Sequence, residues 1–310
     1  MSAAPHMTRK PLSPTVKGVI FALLATFVWS FNFIIGRGVA DSIPPYTLAL
    51  GRWIIAFCAV FPFAVPSLMR DWRHFIRHWR YYLAVSLIGI TFFNTAIYVA
   101  AHSVPALNLS LIATTSPLFT LVLARIFLGE AMSHAKLAGI FLALAGIILL
   151  LTKGDFSILT SLSFQGGDLL MLAASASLAV YTLLLRKKPE GCGQAAYFAV
   201  TFGVGWLFLV PLSLWEIALG ARLVFSLELA GVFLYTGVGA SLFSFWCWSR
   251  AVSAFGPSNA AAVYYTMPLF CGIEAVLFLG EPVLWIHYVG GALILGGMVL
   301  ATRQGTKRSV

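Results

Sequence analysis

The residues in this chain that are best suited to chemistry are polar side chains inside long apolar stretches. Asn32 lies in the first stretch, close to Trp29. Asn94 and Tyr98 lie four residues apart in the third stretch, so a helix places both on one face. The second half of the chain adds further aromatic and hydroxyl groups: Tyr181, Ser244, Trp246, Trp248, Tyr264 and Tyr265. Such polar groups are unfavourable in hydrocarbon, and each therefore needs a partner or a ligand.

Together these side chains predict a binding site with aromatic walls and neutral hydrogen-bonding groups. Such a site suits an amphiphilic solute with a flat apolar part, because each ring pair contributes roughly 0.5–1.5 kcal/mol beyond burial. A structural interpretation stays open. At 14% Phe, Trp and Tyr, most individual aromatic residues also fit lipid-facing belts and helix packing. Asn32 and Asn94 fit packing between helices as well as cavity lining.

Glu274 is the acidic residue that lies well inside an apolar stretch. It is suited to carry a proton, to bind the ammonium group of a substrate, or to pair with Arg52 in the second stretch. The alternative is a structural pair, or a side chain that reaches the membrane interface. None of the six histidines pairs with an acid at metal-ligand spacing, and no HExxH motif occurs. The sequence therefore predicts no catalytic residue, no metal and no cofactor.

The composition places the apolar stretches in a membrane. Of the 310 residues, 60% are hydrophobic and only 10% are charged, which is too little polar surface for a soluble protein. A membrane-spanning helix needs about 20 apolar residues, so the chain has room for ten. Basic cytoplasmic loops explain the net charge of +10 better than nucleic-acid binding does. The four cysteines form no CxxC motif, and their positions predict neither a disulfide framework nor a metal site.

Apolar runs and helix breakers predict an all-α membrane protein with ten transmembrane helices. The predicted helices cover 17–37, 46–67, 80–101, 106–128, 135–152, 167–187, 195–214, 228–249, 258–280 and 283–302. With the N-terminus inside the cell, most of the 20 Lys and Arg residues fall on the cytoplasmic side. Both termini are therefore predicted to be cytoplasmic.

The chain is predicted to consist of two similar halves, 1–155 and 156–310. The run SPLFTLVLARIFLGE at 116–130 recurs as MPLFCGIEAVLFLGE at 267–281. A constant offset of 151 residues relates Asn108 to Asn259, Pro117 to Pro268, Glu130 to Glu281, Gly139 to Gly290, and Gly146 to Gly297. Because five spans is an odd number, the second half enters the membrane inverted. Inverted repeats are a recurrent device of transporters that open a central site to either side in turn.

Several repeated residues have roles that follow from their place in a helix. A proline in mid-helix removes a backbone hydrogen bond and permits a kink, so Pro117 and Pro268 predict either hinges or fixed bends. The glycine faces of the fifth and tenth helices predict close packing. Glu130 and Glu281 are expected to cap helices or to tie short loops.

The doubled PLF…FLGE motif, the ten spans and the sequence Gly51-Arg52-Trp53 resemble the EamA-type members of the drug/metabolite transporter superfamily. The resemblance covers nearly the whole chain. Among the branches of the superfamily, the chain is most similar to the YddG-type aromatic amino-acid exporters of bacteria. It implies a basket of helices around a central cavity, lined mainly by the first, third and fourth helices of each half. It also implies that the fifth helices pack to one side and that Arg52 is structural.

The sequence and the resemblance together predict a secondary exporter of amino acids and related metabolites in the bacterial inner membrane. The expected substrates are aromatic amino acids and other neutral ones such as threonine, and the expected partners are these small molecules and membrane lipid, with the protein a monomer. An exporter of drugs or other amphiphiles is the alternative, although the first helix lacks the acid on which small multidrug pumps depend. A membrane-embedded enzyme, a channel or a receptor lacks support in the motifs, and the absence of a Walker motif argues against primary pumping.

Overall fold

The computed structural model describes residues 13–40, 42–104, 109, 112–152, 154–155, 157, 166–220, 227–279 and 285–303. Every regular element in these ranges is helical. Two of the repeated residues singled out in the sequence, Asn108 and Glu281, lie outside the described residues. Residue 156, where the second half is predicted to begin, also lies outside the described residues. The same holds for most of the basic residues at the two termini.

Eleven helices are described, here numbered in chain order. They are α1 (Pro14–Gly38), α2 (Pro45–Arg77), α3 (Trp79–Ala101), α4 (Ser116–Leu128), α5 (His134–Thr152), α6 (Gly166–Arg186), α7 (Gln194–Ala218), α8 (Leu227–Phe255), α9 (Pro257–Tyr264), α10 (Met267–Leu279) and α11 (Trp285–Arg303). Helix α2 extends ten residues past its predicted end at 67, and its backbone departs from helical angles at Asp71.

Six of these helices, α1, α2, α3, α6, α7 and α8, are long and apolar enough to cross a membrane. Three shorter apolar segments, Ser116–Leu128, His134–Leu150 and Tyr288–Thr302, accompany them. Large apolar side chains such as Phe63, Phe141 and Leu277 are exposed on the outside of the bundle. Exposed apolar side chains of this size suit a protein whose surroundings are lipid, since water would disfavour them.

Helices α3 and α8 each contain a π-helical segment, at Ser86–Phe92 and Tyr235–Phe243. The two segments begin 149 residues apart, which is the offset that relates the first helices of the two halves. Their carbonyl groups bond to side chains of other helices, because the wider turns leave them accessible. The hydroxyl of Ser177 donates to the Ile88 carbonyl (2.7 Å), and the indole N–H of Trp29 donates to the Ala240 carbonyl (2.9 Å). Such π segments are rare and often lie at functional sites.

The structure corrects the prediction that Pro117 and Pro268 kink continuous helices. Each proline is instead the second residue of a separate helix, α4 or α10, which follows a two-residue turn. The reason is that proline has no N–H and clashes with the carbonyl four residues earlier, whereas in the first helical turn neither property is unfavourable. The fourth and ninth predicted spans are therefore discontinuous at corresponding positions.

Helices α5 and α11 pack backbone against backbone. A Cβ atom on Gly139 would lie 2.6 Å from the Gly297 carbonyl oxygen, and one on Gly146 would lie 2.7 Å from the Gly290 carbonyl oxygen. Only glycine permits this approach. Since Gly139 meets Gly297 while Gly146 meets Gly290, the two helices run antiparallel. Gly139 thus contacts Gly297, which is the counterpart of Gly146, and Gly146 contacts Gly290, which is the counterpart of Gly139.

Most contacts between the two parts of the chain also occur in matched pairs. Helix α1 packs against α8, as α3 packs against α6. The π segment of α8 packs against α2, as that of α3 packs against α7, and α10 packs against α1, as α4 packs against α6. Helices α2 and α7 pack extensively against each other. The core is consequently formed between the two parts of the chain rather than within either.

Helix α2 begins with backbone N–H groups that bond to a carboxylate from α7. The amides of Tyr46 and Thr47 donate to the two carboxylate oxygens of Glu216 at 3.1 and 2.9 Å, and the Thr47 hydroxyl donates at 2.9 Å. The first amides of a helix have no partner within it, and the helix dipole favours a negative charge there. Glu216 therefore fixes the start of α2 against the end of α7.

The opposite end of the α2–α7 pair is joined by a different set of polar contacts. A Cβ atom on Gly193, just before α7, would lie 2.8 Å from the hydroxyl oxygen of Ser67 in α2. Nearby, Lys188 donates to Gln194 at 3.1 Å, and its ammonium group lies 4.3 Å from the centre of the Tyr197 ring. Burial lowers the pKa of Lys188, and the neighbouring Cys192 opposes that shift. The Gly193 backbone N–H also interacts with the Asp71 carboxylate of α2, so a carboxylate and a backbone amide meet at this end too.

Replacing Glu216 with Gln tests the contribution of this carboxylate. Glutamine cannot accept from both amides and carries no charge, so we expect a loss of about 1 kcal/mol, a drop of roughly 2–4 °C in the apparent unfolding midpoint. The measurement is thermal unfolding of the detergent-purified protein. Glu228→Gln is the matched control, since Glu228 is exposed in the first turn of α8. Equal midpoints for the two variants would contradict the capping role.

Candidate functional site

A buried arginine on α2 organises the polar groups at the centre of the bundle. Arg52 is fully buried and donates through Nε to the Ser241 hydroxyl at 2.7 Å. Its Nη1 donates to the Asn94 amide oxygen at 2.9 Å and to the Tyr98 hydroxyl at 2.6 Å. The Tyr98 hydroxyl in turn donates to the Asn32 amide oxygen at 3.0 Å. These five residues, here called the Arg52 cluster, join α1, α2, α3 and α8.

Local structure places each member of the Arg52 cluster. Asn94 and Tyr98 share a face of α3, as their spacing predicts, in the regular turns that follow the π segment. Ser241 lies in the π segment of α8, where its hydroxyl donates to the Thr236 carbonyl five residues earlier at 2.8 Å while it accepts from Arg52. The wider π turn thus orients the Ser241 oxygen toward the guanidinium group.

The charge of Arg52 has no carboxylate partner among the described residues. The two ion pairs found there are Arg70 with Asp71 and Lys136 with Glu130, both away from this cluster. The Nη2 atom of Arg52 and the Nδ2 atom of Asn94 are buried donors without an acceptor in the described part of the chain. A buried charge that lacks a counter-ion is strongly unfavourable, so its retention requires a reason.

Four aromatic rings form a second cluster next to the Arg52 cluster. Trp29 of α1 lies 5.4 Å from Phe245, 5.3 Å from Trp248 and 6.3 Å from Tyr264, measured between ring centres. All four rings are almost completely buried. The indole N–H of Trp248 donates to the Thr182 hydroxyl at 3.0 Å, which fixes that ring. This aromatic cluster of Trp29, Phe245, Trp248 and Tyr264 is built from α1, α8 and α9.

Trp53 connects the two clusters. The guanidinium carbon of Arg52 lies 5.1 Å from the centre of the Trp53 ring, which favours the cation by its quadrupole. The same ring lies 5.1 Å from Phe245 in an edge-to-face arrangement. Tyr181 of α6 also borders the aromatic cluster, 5.4 Å from Phe245, and its ring packs against Gly89, where a Cβ atom would clash. A cationic, polar surface and an aromatic surface are therefore continuous.

Glu274 lies on α10 and contacts a different face of α1. Its Oε1 atom lies 2.7 Å from the Ser30 hydroxyl oxygen, and Oε2 has no partner among the described residues. The Ser30 hydroxyl also lies 2.6 Å from the Phe27 carbonyl oxygen. The Ser30 hydroxyl donates to Glu274 Oε1 when the carboxyl group is ionised, and it accepts from a protonated carboxyl group while it donates to the Phe27 carbonyl. The suggested pairing of Glu274 with Arg52 is wrong, since the two bond to different groups.

Three residues singled out in the sequence lie away from the two clusters or use their polar atoms locally. The Trp246 ring is half-buried and lies against Phe21 and Arg250. Tyr265 belongs to a separate apolar cluster between α9, α5 and α11. The Ser244 hydroxyl donates to the Gly239 carbonyl of its own helix at 3.0 Å. The structure brings together Trp29, Asn32, Asn94, Tyr98, Tyr181, Trp248 and Tyr264.

Sequence reasoning placed Arg52 outside the binding site and did not identify Ser241 or Trp53, and the structure places all three in or next to the two clusters. A signal for Arg52 existed, because a lone cation in a long apolar helix marks a functional position by default. Ser241 has no comparable signal, because its role depends on the π turn and on contact with another helix. The described residues contain no group of three His, Cys, Asp or Glu side chains that would hold a metal ion.

The chain was compared with known proteins. The EamA-like transporter family matches it twice, at residues 16–152 and 165–303. An "uncharacterized transporter" of Archaeoglobus fulgidus is 27% identical over 91% of this chain and 96% of its own length. A "probable terminal-alkyne amino-acid exporter" of Streptantibioticus cattleyicolor is 27% identical over 92% of this chain and 93% of its own. A "probable amino-acid metabolite efflux pump" of Escherichia coli is 24% identical over 92% and 94%.

A solved crystal structure shares the fold. It superposes with a TM-score of 0.74 at 17% sequence identity and covers 93% of this chain and 97% of that one. At this identity the likeness concerns the fold alone. The family match, in contrast, covers nearly all of the chain in two copies and agrees with the apolar helices described above. The chain therefore belongs to the EamA-like transporter family and is a multi-pass membrane transporter of small molecules rather than an enzyme.

Proposed function

We propose that the protein exports amino acids, aromatic ones and other neutral ones such as threonine, together with related metabolites. The observation that carries the proposal is the continuity of the aromatic cluster with the Arg52 cluster. An amino acid with a ring presents the complementary arrangement, an apolar plane next to a carboxylate and an ammonium group. Two of the relatives are named as a probable amino-acid exporter and a probable amino-acid metabolite efflux pump, which supports the same class.

In this proposal the ring of the substrate contacts Trp29, Trp248 and Tyr264, with Tyr181 at the border. Asn32, Asn94 and Tyr98 address its polar end. Ser244, Trp246 and Tyr265 contribute to the shape of the surrounding helices, since their contacts are local or lie elsewhere. Ring pairs in the edge-to-face and tilted geometries of this cluster contribute roughly 0.5–1.5 kcal/mol each, which permits both binding and release.

Transport is proposed to occur by alternating access between two inverted halves, 1–155 and 156–310, that form ten spans around a central cavity. The paired helix contacts and the antiparallel α5–α11 packing support this arrangement. The turns before Pro117 and Pro268 are proposed as the hinges, because discontinuous helices allow one segment to move while the other stays packed. Energy comes from the solute gradient together with protons rather than from ATP, since the chain has no Walker motif.

We further propose that the protein works as a monomer in the bacterial inner membrane with both termini in the cytoplasm. The distribution of Lys and Arg along the chain supports this orientation. The close contact between the two parts of the chain supports a monomer, because each finds its partner within the same molecule.

Glu274 supports a second candidate function, the proton-coupled export of drugs or other amphiphiles. Its buried carboxyl group with an unpartnered oxygen is a site where a proton, or a cationic group of a solute, is stabilised. In the amino-acid proposal the same group carries a proton. The two candidates differ in the solute that is exchanged, so a transport assay separates them.

The first prediction concerns the solute. Purified protein is placed in liposomes preloaded with unlabelled phenylalanine, threonine or a cationic dye, and the entry of the labelled form of each solute is followed. We expect internal phenylalanine or threonine to accelerate the entry of the same labelled amino acid. Internal dye should not accelerate the entry of labelled dye. Exchange of the dye alone would replace the amino-acid proposal with the multidrug one.

The second prediction concerns the aromatic cluster. Trp248→Ala removes a ring contact at its centre, so we expect the affinity for phenylalanine in the same assay to fall about threefold to tenfold. Trp246→Ala is the matched control, because that neighbouring ring lies outside the cluster. Size-exclusion chromatography checks that both variants are folded. Equal affinities in the two variants would argue against the proposed ring contact.

The third prediction concerns Glu274. Glutamine has the shape of the carboxyl group, and its amide oxygen accepts from the Ser30 hydroxyl as Glu274 Oε1 does, so we expect Glu274→Gln to keep phenylalanine exchange. A pH gradient should accelerate transport by the native protein and have no effect on the variant. Glu228→Gln, an exposed exchange of the same type, should respond to the gradient like the native protein. A gradient response in Glu274→Gln would exclude Glu274 as the proton carrier.

A further inference from the structure

Two buried donors of the Arg52 cluster point to a ligand. Arg52 and Asn94 are 0% and 3% exposed, yet Arg52 Nη2 and Asn94 Nδ2 have no acceptor among the described residues. The two side chains are in contact, because Arg52 Nη1 donates to Asn94 Oδ1 at 2.9 Å. Unpaired buried donors are unfavourable, and two of them in one cluster next to an unneutralised positive charge call for an acceptor.

We propose that this pair binds the carboxylate of the transported solute, with Arg52 Nη2 and Asn94 Nδ2 as the donors to its oxygens. The inference rests on the proposed amino-acid export and names the group that the site recognises. A carboxylate supplies the missing negative charge and has two oxygens, one for each donor. Arg52 is then a binding residue rather than a purely structural one.

The surroundings favour a carboxylate over a larger inorganic anion. Arg52 is the only cation in the cluster, and its other hydrogen bonds go to neutral groups. One positive charge matches one carboxylate, whereas the phosphate dianion is usually held by more than one cationic or N–H donor group. The adjacent Trp53 and Phe245 rings offer an apolar surface next to the charge, which suits a carboxylate attached to a ring.

The exchange Asn94→Asp tests the proposal without removing the arginine. Arg52→Ala is less informative, because it leaves Asn94, Tyr98 and Ser241 without their partner. In Asn94→Asp, the new carboxylate lies where Asn94 Oδ1 accepts from Arg52, so it neutralises the charge from within the protein. We expect the unliganded variant to unfold at the same temperature as the native protein or higher, and to lose affinity for external carboxylates roughly ten- to a hundredfold.

The measurement is the unfolding midpoint and the dissociation constant of the full-length detergent-purified protein with four probes at equal ionic strength. The probes are phenylalanine, 3-phenylpropionate, phenylalaninamide and inorganic phosphate. Phenylalanine and 3-phenylpropionate should raise the midpoint of the native protein, and the other two should not. Asn259→Asp is the matched control and should bind 3-phenylpropionate like the native protein, since the Asn259 amide donates to the Phe255 carbonyl and not to the Arg52 cluster.

The carboxylate site is overturned if phenylalaninamide binds as tightly as phenylalanine, if Asn94→Asp keeps its affinity for 3-phenylpropionate, or if inorganic phosphate raises the midpoint as much. The experiments can refute the carboxylate site and the exporter proposal independently of each other. If phenylalanine does not exchange in liposomes but 3-phenylpropionate binds in an Asn94-dependent way, the site stands and amino-acid export falls. If phenylalanine and its amide exchange equally well, export stands and the carboxylate site falls.

Discussion

The burial of one positive charge in an apolar helix bundle is the constraint on which the centre of this protein depends. Arg52 has no carboxylate near it among the described residues, and it is held by hydroxyl and amide oxygens from α3 and α8 and by the face of Trp53. Asn94, Tyr98 and Trp53 belong to the same part of the chain as Arg52, and Ser241 belongs to the other part. Packing of the two parts therefore completes the set of partners, and a loss of contact between them would remove the Ser241 acceptor from a buried cation.

The π segment of α8 contributes Ser241 to this charge, and Asn94 and Tyr98 follow the π segment of α3. In lipid every backbone polar group needs a partner within the protein, so irregular turns persist only where other helices supply one. Here Ser177 and Trp29 supply partners for the π segments, and each donor comes from the opposite part of the chain. The departures from regular helix occur at corresponding positions in both parts, which ties them to the duplicated architecture rather than to local accidents of sequence.

The sequence predicted most of what depends on spacing. The shared face of Asn94 and Tyr98 and the close packing of the glycine faces follow from helical periodicity, and the structure has both. The sequence predicted less of what depends on contact between distant helices. Trp246 and Trp248 look equivalent in sequence. Because a helical turn contains 3.6 residues, positions two apart face opposite sides of a helix, and only Trp248 joins the aromatic cluster. The break before Pro117 was mistaken for a kink because a proline pattern alone does not fix where a helix restarts.

The carboxylate of Glu216 at one end of the α2–α7 pair is matched at the other end by that of Asp71, which interacts with the Gly193 backbone N–H. The two carboxylates differ in their other partners. Glu216 accepts three hydrogen bonds from the start of α2, whereas Asp71 also pairs with the Arg70 guanidinium group at 2.9 Å. The Asp71 carboxylate thus divides its hydrogen bonds between an amide and a cation, which makes the Tyr46 end the stronger of the two contacts between α2 and α7.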